Sequence, residues 1–155
     1  MIENSFLLRS PRPDDYPLFR GVVFHQCLTS GYWHGVGRST IHKAAEDIVG
    51  AILRLPDWTV EVAVPVDPEL IDEICGFAMR KGAKTWAFAY VKPDYRERGC
   101  FKKLVQSSGL KEGDNVEVIL ASPNAVRIAR AKYKVFFTPF QILEIEKQAV
   151  KEITP

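Results

Sequence analysis

Apolar residues recur along the chain with two different spacings, and each spacing predicts one kind of secondary structure. In residues 39–55 the apolar positions return every three or four residues, which predicts an amphipathic helix that Pro56 ends. A helix is also predicted from about 14 to 27, after a turn rich in proline and aspartate. Two further helices are expected, a short one from Gly99 to about Ser107 and one that begins at Ser122-Pro123.

Strands are predicted by short apolar or alternating segments that lie between turn residues. Residues 84–91 are almost entirely apolar, which is typical of a central strand buried on both faces. The last apolar segment is expected to be one strand, or a pair of strands kinked at Pro139. In chain order, the predicted strands are residues 6–9, 58–64, 73–80, 84–91, 115–120 and 135–145.

The predicted order of elements is therefore β-α-α-β-β-β-α-β-α-β. A first half rich in hairpins, followed by βαβ units, predicts an α/β fold with a mixed sheet and helices on both of its faces. No repeat, low-complexity tract or long linker divides the sequence, so we expect one domain over residues 1–155.

Composition and charge exclude several classes of protein. The formal charge is only +2, which does not favour nucleic acid as a partner. The sequence has neither the pattern of a signal peptide nor an apolar stretch of the roughly 20 residues that span a membrane. We therefore expect a cytoplasmic protein. No disulfide framework, zinc site or catalytic triad is predicted by the spacing of Cys27, Cys75, Cys100, His25, His34 and His42.

The segment from Tyr90 to Lys103 carries the most informative chemistry. A buried strand runs into a turn that contains Arg96 and Arg98, and Gly99 immediately precedes a helix. The N–H groups at the beginning of a helix attract anions, and guanidinium groups add charge-assisted hydrogen bonds to phosphate oxygens. The pattern thus predicts a phosphate site, and the alternative is a basic surface turn that binds nothing.

This segment resembles the acetyl-CoA motif of the GNAT superfamily of N-acetyltransferases, Arg/Gln-x-x-Gly-x-Gly/Ala. Arg96 and Gly99 match the first two fixed positions of the motif, and Phe101 stands where the family has Gly or Ala. The predicted order of elements is also similar to that of the family. The resemblance implies the GNAT fold, a mixed sheet of about six to seven strands with about four helices, whose fourth and fifth strands splay apart for CoA.

The resemblance also implies acetyl-CoA as cosubstrate and no metal. Backbone groups near the end of the fourth strand would bind the pantetheine arm, and the turn and helix that follow would bind the pyrophosphate. The residues implied in cofactor binding are Tyr90, Val91, Arg96, Arg98, Gly99, Cys100, Phe101, Lys102 and Asn124.

Two side chains are candidates for catalysis. Tyr133 follows Ala129 by four residues, the spacing at which many GNAT enzymes hold the tyrosine that protonates the departing thiolate. The alternative for Tyr133 is a core side chain whose hydroxyl faces water. Glu61, on a predicted strand, is the candidate general base, with Glu73 as a second strand-borne carboxylate; either of them could instead simply face solvent.

The expected activity is transfer of acetyl from acetyl-CoA to a primary amine that attacks the thioester directly. The alternative is a catalytically inactive GNAT-like scaffold that binds a protein partner. Contact with nucleic acid through the basic residues of the two later helices is the least favoured interpretation. A homodimer is compatible with the sequence, which does not identify the acceptor amine.

Overall fold

The computed structural model describes residues 5–29, 33–70, 72–120, 127, 129–138 and 141–153. Within these ranges the helices are α1 (Tyr16–Thr29), α2 (Arg38–Arg54), α3 (Cys100–Ser108) and α4 (Gln141–Ile153). The strands are β1 (Phe6–Arg9), β2 (Thr59–Pro65), β3 (Gly76–Lys81), β4 (Thr85–Val91), β5 (Asn115–Val118) and β6 (Lys134–Phe137).

The six strands form one sheet in the order β1-β2-β3-β4-β5-β6. Neighbouring strands from β1 to β4 are antiparallel, whereas β4–β5 and β5–β6 are parallel. The connection from β1 to β2 contains α1 and α2, shorter segments join β2 to β3 and β3 to β4, and α3 crosses over from β4 to β5, as parallel pairing requires. The predicted α/β fold with a mixed sheet is confirmed.

Helices cover both faces of the sheet. On the face that we call the α2 face, α1, α2 and α4 bury a core that includes Phe19, Ile48 and Phe77. On the α3 face, α3 packs Leu104 against a smaller core that includes Trp86. Successive side chains of a strand point to opposite faces of the sheet, so each strand contributes to both cores. This is why β4 is apolar at nearly every position.

The predicted strand or strand pair over residues 135–145 is wrong in its second half. The chain is a strand over Lys134–Phe137, and Gln141 then begins α4. Ile142, Ile145 and Ala149 of this helix are all buried, at a spacing of three and four residues. Positions 142–145 are a short apolar segment that is compatible with a strand or a helix, and only the longer window that includes Ala149 shows the helical period.

A buried ion pair fixes the beginning of the chain on the sheet. The Asp15 carboxylate is 4% exposed and accepts two hydrogen bonds from the Arg9 guanidinium, at 2.7 and 2.9 Å. The Arg12 N–H donates a third, at 2.7 Å. The hydrogen bonds from Arg9 lower the pKa of Asp15 below its ordinary value, against the opposing effect of burial.

We expect Asp15→Asn to lower the free energy of unfolding at neutral pH by about 2 kcal/mol, because hydrogen bonds to a charged group are lost. In the wild type, the stability linked to Asp15 is present above the ordinary pKa of aspartate and is lost as pH falls through the lowered value. Urea denaturation between pH 2 and pH 7 should therefore show a shallower acid dependence in the variant. If stability depended on pH equally in the variant and the wild type, the link between folding and the ionisation of Asp15 would be contradicted.

A glycine allows α3 to begin directly against the sheet. A Cβ atom on Gly76 would lie 2.5 Å from the Tyr90 carbonyl oxygen and 3.1 Å from the Cys100 Sγ atom. The first of these is closer than a real Cβ contact, and the carbonyl belongs to the neighbouring strand and cannot turn away. Gly76 therefore sets how close the first residue of α3 comes to β3 and β4.

Gly76→Ala is expected to destabilise the protein by about 1–3 kcal/mol, the usual cost of overpacking. The matched control is Gly21→Ala, since a Cβ atom there would meet nothing within 4 Å and Gly21 lies inside α1. That change should stabilise the protein by about 0.5–1 kcal/mol through helix propensity. Denaturant unfolding of both variants measures these changes in stability. Equal changes in the two variants would show that the close contact at Gly76 does not restrict the packing of α3.

Candidate active site

Among the residues that the structure describes, the pairing of β4 with β5 ends before β4 does. These strands are in register only over Thr85↔Glu117 and Trp86↔Val118. The residues after β5 continue to bond β4, with the last N–H of this series, that of Leu120, donating to the Ala87 carbonyl. Beyond Ala87 the described residues include no partner for this side of β4, which runs on to Val91, and we call this side of β4 the gap.

A β-bulge lies where the described pairing with β5 ends. In the ladder with β3, Met79 is opposite Phe88 but Arg80 is opposite Trp86, so Ala87 is the extra residue of β4. Ala87 and Phe88 consequently both belong to the core of the α2 face. The bulge redirects the backbone of β4 at the closed end of the gap.

The backbone of β4 beyond the bulge presents polar groups to this gap. The Lys92 N–H bonds the Cys75 carbonyl, which makes this pair a hydrogen-bonded one. In an antiparallel ladder such pairs alternate with pairs that point their N–H and C=O groups to the other side. Val91, opposite Gly76, and Ala89, opposite Ala78, therefore direct their backbone groups away from β3 and toward the gap.

The turn after β4 brings the beginning of α3 to the open end of the gap. Pro93–Tyr95 form one 3₁₀ turn, and Glu97 and Gly99 have positive φ angles of 62° and 88°. The first hydrogen bond of α3 runs from the Lys103 N–H to the Gly99 carbonyl, at 3.0 Å. The N–H groups of the first turn have no acceptor inside the helix, so this end of α3 favours an anion.

The two arginines of the turn are exposed and held differently. The Arg96 Nε–H donates to the Val91 carbonyl at 3.1 Å, which draws this guanidinium to the end of β4. The Arg98 guanidinium lies 6.0 Å above the centre of the Tyr95 ring, which itself meets Phe6 edge to face. Both cationic groups belong to the turn that leads into α3, and both are exposed to solvent and to a dissolved anion.

Residues 100–102 place different side chains at this helix beginning. Cys100 is buried in the α3-face core, and burial raises the pKa of its thiol to about 12, so it is not an activated nucleophile. Phe101 is 39% exposed, and its side chain is outside both cores. Lys102 is exposed.

The predicted cofactor-binding residues lie on both sides of the sheet. The Tyr90 ring packs on Phe77 in the α2-face core, with ring centres 5.8 Å apart, whereas Val91 packs on the α3 face. The turn residues Arg96 to Lys102 are contiguous with Val91 at the open end of the gap. Asn124 is outside the residues that the structure describes.

Tyr133 packs against the α3-face core, to which Trp86 of β4 and Val116 of β5 belong. Tyr133 immediately precedes β6, whose first residue, Lys134, is opposite Asn115, so the ring lies near the beginning of β5 and away from the gap. Burial raises the pKa of the Tyr133 phenol, and the carboxylates of Glu112 and Asp114 raise it further. The hydroxyl therefore keeps its proton at neutral pH, as a proton donor must.

The structure gives Glu61 two partners away from Tyr133 and from the turn. Its carboxylate is on the α3 face, where it accepts hydrogen bonds from Arg80 at 2.7 Å and from the Ser107 hydroxyl at 2.6 Å. These contacts fasten the end of α3 to β2 and β3. They favour a structural role, and the use of Glu61 as a general base stays a prediction. The second candidate, Glu73, interacts with the Tyr95 phenol and raises its pKa.

Two features near the site were not predicted from the sequence. Gly76, which positions the beginning of α3, carries no motif of its own. Glu117 lies between Val116 and Val118 of the α3-face core, so its side chain is on the α2 face of β5. The alternation of apolar and polar residues over 115–118 is the sequence signal that places Glu117 on the face opposite Val116 and Val118.

Neither a metal centre nor a membrane helix is found in the described part of the chain. No group of three or more His, Cys, Asp or Glu side chains there is arranged to hold a metal ion. Among the helices of those ranges, none is long and apolar enough to cross a membrane.

Comparisons with known proteins give structural matches only. No protein-family model matches the sequence, and no curated protein does. A GCN5-related N-acetyltransferase from Rhodopseudomonas palustris superposes with a TM-score of 0.52 at 22% identity, over 84% of this chain and 82% of that one. A possible acetyltransferase from Clostridium difficile 630 superposes with a TM-score of 0.51 at 13% identity, over 87% of this chain and 95% of that one. The chain therefore has the GNAT fold, in a sequence that diverges widely from the proteins that share it.

Proposed function

We propose that the protein is an N-acetyltransferase that moves acetyl from acetyl-CoA to a primary amine. The observation that carries this proposal is the gap between β4 and β5, with the beginning of α3 at its open end. Polar backbone groups along one wall and an anion site at the mouth suit a long ligand that ends in phosphates. The fold shared with two acetyltransferases by name supports the same activity.

The donors present fit the phosphate end of CoA. The first-turn N–H groups of α3 would bind the pyrophosphate together with Arg96 and Arg98, whose guanidinium groups form charge-assisted hydrogen bonds. Gly99 adds no side chain at the point of closest approach, and its φ of 88° is readily adopted only by glycine. Because Phe101 is 39% exposed at the second position of α3, its ring would lie beside the phosphates and not beneath them.

The residues of β4 would orient the rest of the ligand. Backbone groups of Ala89 and Val91 face the gap and match the amides of the pantetheine arm. N–H groups at the Ala87 bulge would polarise the reacting carbonyl.

Acetyl-CoA supplies an acyl group on a good thiol leaving group. The role of Tyr133 as the acid that protonates the departing sulfur rests on the family resemblance and on its raised pKa, and it requires that the ligand reach the beginning of β5, where Tyr133 lies.

The first prediction concerns binding. Calorimetric titration of the wild type with acetyl-CoA is expected to show micromolar affinity, and Arg96→Glu/Arg98→Glu should weaken it at least about 100-fold. This factor follows from the loss of two charge-assisted contacts of about 1.5–3 kcal/mol each.

The matched control for that titration is Arg20→Glu/Arg54→Glu, which changes the net charge equally at exposed positions on α1 and α2. It should retain affinity within a factor of about 3, since long-range charge effects are screened by salt. If the folded wild type does not bind acetyl-CoA, the enzyme proposal is wrong and a protein-binding scaffold becomes the next hypothesis. Equal losses in both double variants would place the ligand elsewhere.

The second prediction concerns Tyr133. Tyr133→Phe should lower kcat for thiol release from acetyl-CoA in the presence of an amine by about 10²–10⁴-fold, the usual contribution of a positioned acid. Affinity for acetyl-CoA should not change, because the ring and its packing are kept. Tyr16→Phe, in α1, is the control and should leave kcat unchanged. A variant that loses affinity but not kcat would assign Tyr133 to packing alone.

A further inference from the structure

Phe101, the second residue of α3, holds a large apolar side chain in water. Its ring is 39% exposed and belongs to neither core of the sheet. By contrast, Cys100 before it is 1% exposed, and Leu104 in the next turn is fully buried. Exposed apolar surface is unfavourable, and covering it with an apolar group of a ligand recovers that free energy.

The contacts of α3 show which side of the helix faces β2 and β3. The Ser107 hydroxyl bonds Glu61 of β2, and a Cβ atom on Gly76 of β3 would lie 3.1 Å from the Cys100 Sγ atom. Since successive helical residues are rotated by about 100°, Ser107 and Cys100 are only about 20° apart around the axis. These two residues therefore mark one edge of the buried side of α3.

Phe101 lies at the other edge of that buried side. It is rotated by about 100° from Cys100 and by about 40° from Val105. Because the strand order is β2-β3-β4, this edge faces β4 and the gap beside it. Val105 is only 8% exposed, whereas Phe101, one turn nearer the open end, is not covered. The ring thus lies between the first-turn N–H groups of α3 and the gap.

This position matches one part of the proposed cofactor. In CoA, the group that follows the pyrophosphate toward the thiol is a CH₂ group bonded to a carbon that carries two methyl groups. With the pyrophosphate at the first turn of α3 and the pantetheine arm in the gap, these geminal methyl groups would pass the Phe101 ring. The adenine lies on the other side of the pyrophosphate and would point away from the gap.

We propose that the Phe101 ring is an apolar subsite for the geminal methyl groups of the pantoyl unit of CoA. The ring would contact both methyl groups by dispersion and remove them from water. It would therefore distinguish donors by branching, at a point where the arginines and the N–H groups recognise only charge. This assignment rests on the proposed acetyl-CoA site, and it gives the side chain of Phe101 a role that its backbone does not supply.

The test compares acetyl-CoA with its didesmethyl analogue, in which hydrogen atoms replace the two geminal methyl groups. Calorimetry should show that the wild type binds acetyl-CoA about tenfold more tightly, which corresponds to burial of about two methyl groups. Phe101→Ala should weaken acetyl-CoA about tenfold and leave the analogue within about twofold, so that the preference disappears. Unchanged or tighter binding of acetyl-CoA by this variant would refute the subsite.

The matched control is Phe136→Ala, because Phe136 is 54% exposed and lies on β6 opposite Glu117, on the other face of the sheet. This variant should keep the tenfold preference. Phe101→Leu keeps a smaller apolar side chain, should retain a preference of about threefold, and serves if Phe101→Ala does not fold. A preference that is lost equally in Phe136→Ala would contradict the assignment.

A third ligand separates the pantoyl unit from the adenine. S-Acetyl-4′-phosphopantetheine has the methyl groups but no adenosine, and Phe101→Ala should weaken it by the same factor of about ten, measured by competition. If this ligand is unaffected while acetyl-CoA and its didesmethyl analogue lose affinity equally, the ring contacts the adenine and the assignment is wrong.

The outcomes also separate this inference from the proposed function. If the wild type binds acetyl-CoA and the didesmethyl analogue equally, the pantoyl subsite is refuted while the cofactor site stands. If the wild type binds neither ligand, the cofactor site itself is refuted, and the assignment of Phe101 falls with it.

Discussion

The early end of pairing between β4 and β5 is the constraint on which the site depends. A parallel pair that continued to Val91 would satisfy its backbone groups within the sheet and leave nothing for a ligand. The extra residue Ala87 changes the direction of β4 at the last described bond from the β5 side, and beyond it the described residues give β4 no partner on that side. The gap is thus an interruption in a ladder that is otherwise regular. The backbone N–H and C=O groups of β4 along it are already directed toward a ligand.

The second requirement is that α3 keep a fixed place beside the gap, and the helix is fastened at both ends. At its beginning, the missing side chain of Gly76 admits the buried Cys100. At its end, the Ser107 hydroxyl bonds the carboxylate of Glu61, which Arg80 neutralises. A helix held at two points cannot slide along the sheet without breaking one of them, so its N–H groups stay directed at the mouth of the gap.

Much of this arrangement could be predicted from the sequence, and the reasons for success and failure are physical. Strong periodicity and clear breakers fixed α2 and β4, because Pro56 and Pro93 admit few continuations. The turn at Arg96–Gly99 was predicted from local chemistry that needs no tertiary contact. The end of the described pairing between β4 and β5 coincides with a one-residue bulge. The hydrogen bonds that Glu61 accepts from Arg80 and Ser107 depend on which face of β2 meets α3. Neither is determined by neighbours in the sequence.

The burial of the three cysteines makes them probes of local opening. All are buried, Cys27 in the core of the α2 face and Cys75 and Cys100 in that of the α3 face, and burial raises the pKa of each thiol to about 11 or 12. Reagents that attack thiolates therefore find no target in the closed molecule. Labelling at Cys27 records excursions that uncover α1 and α2, and labelling at Cys100 records detachment of α3. Two halves of the protein thus carry native reporters of local opening.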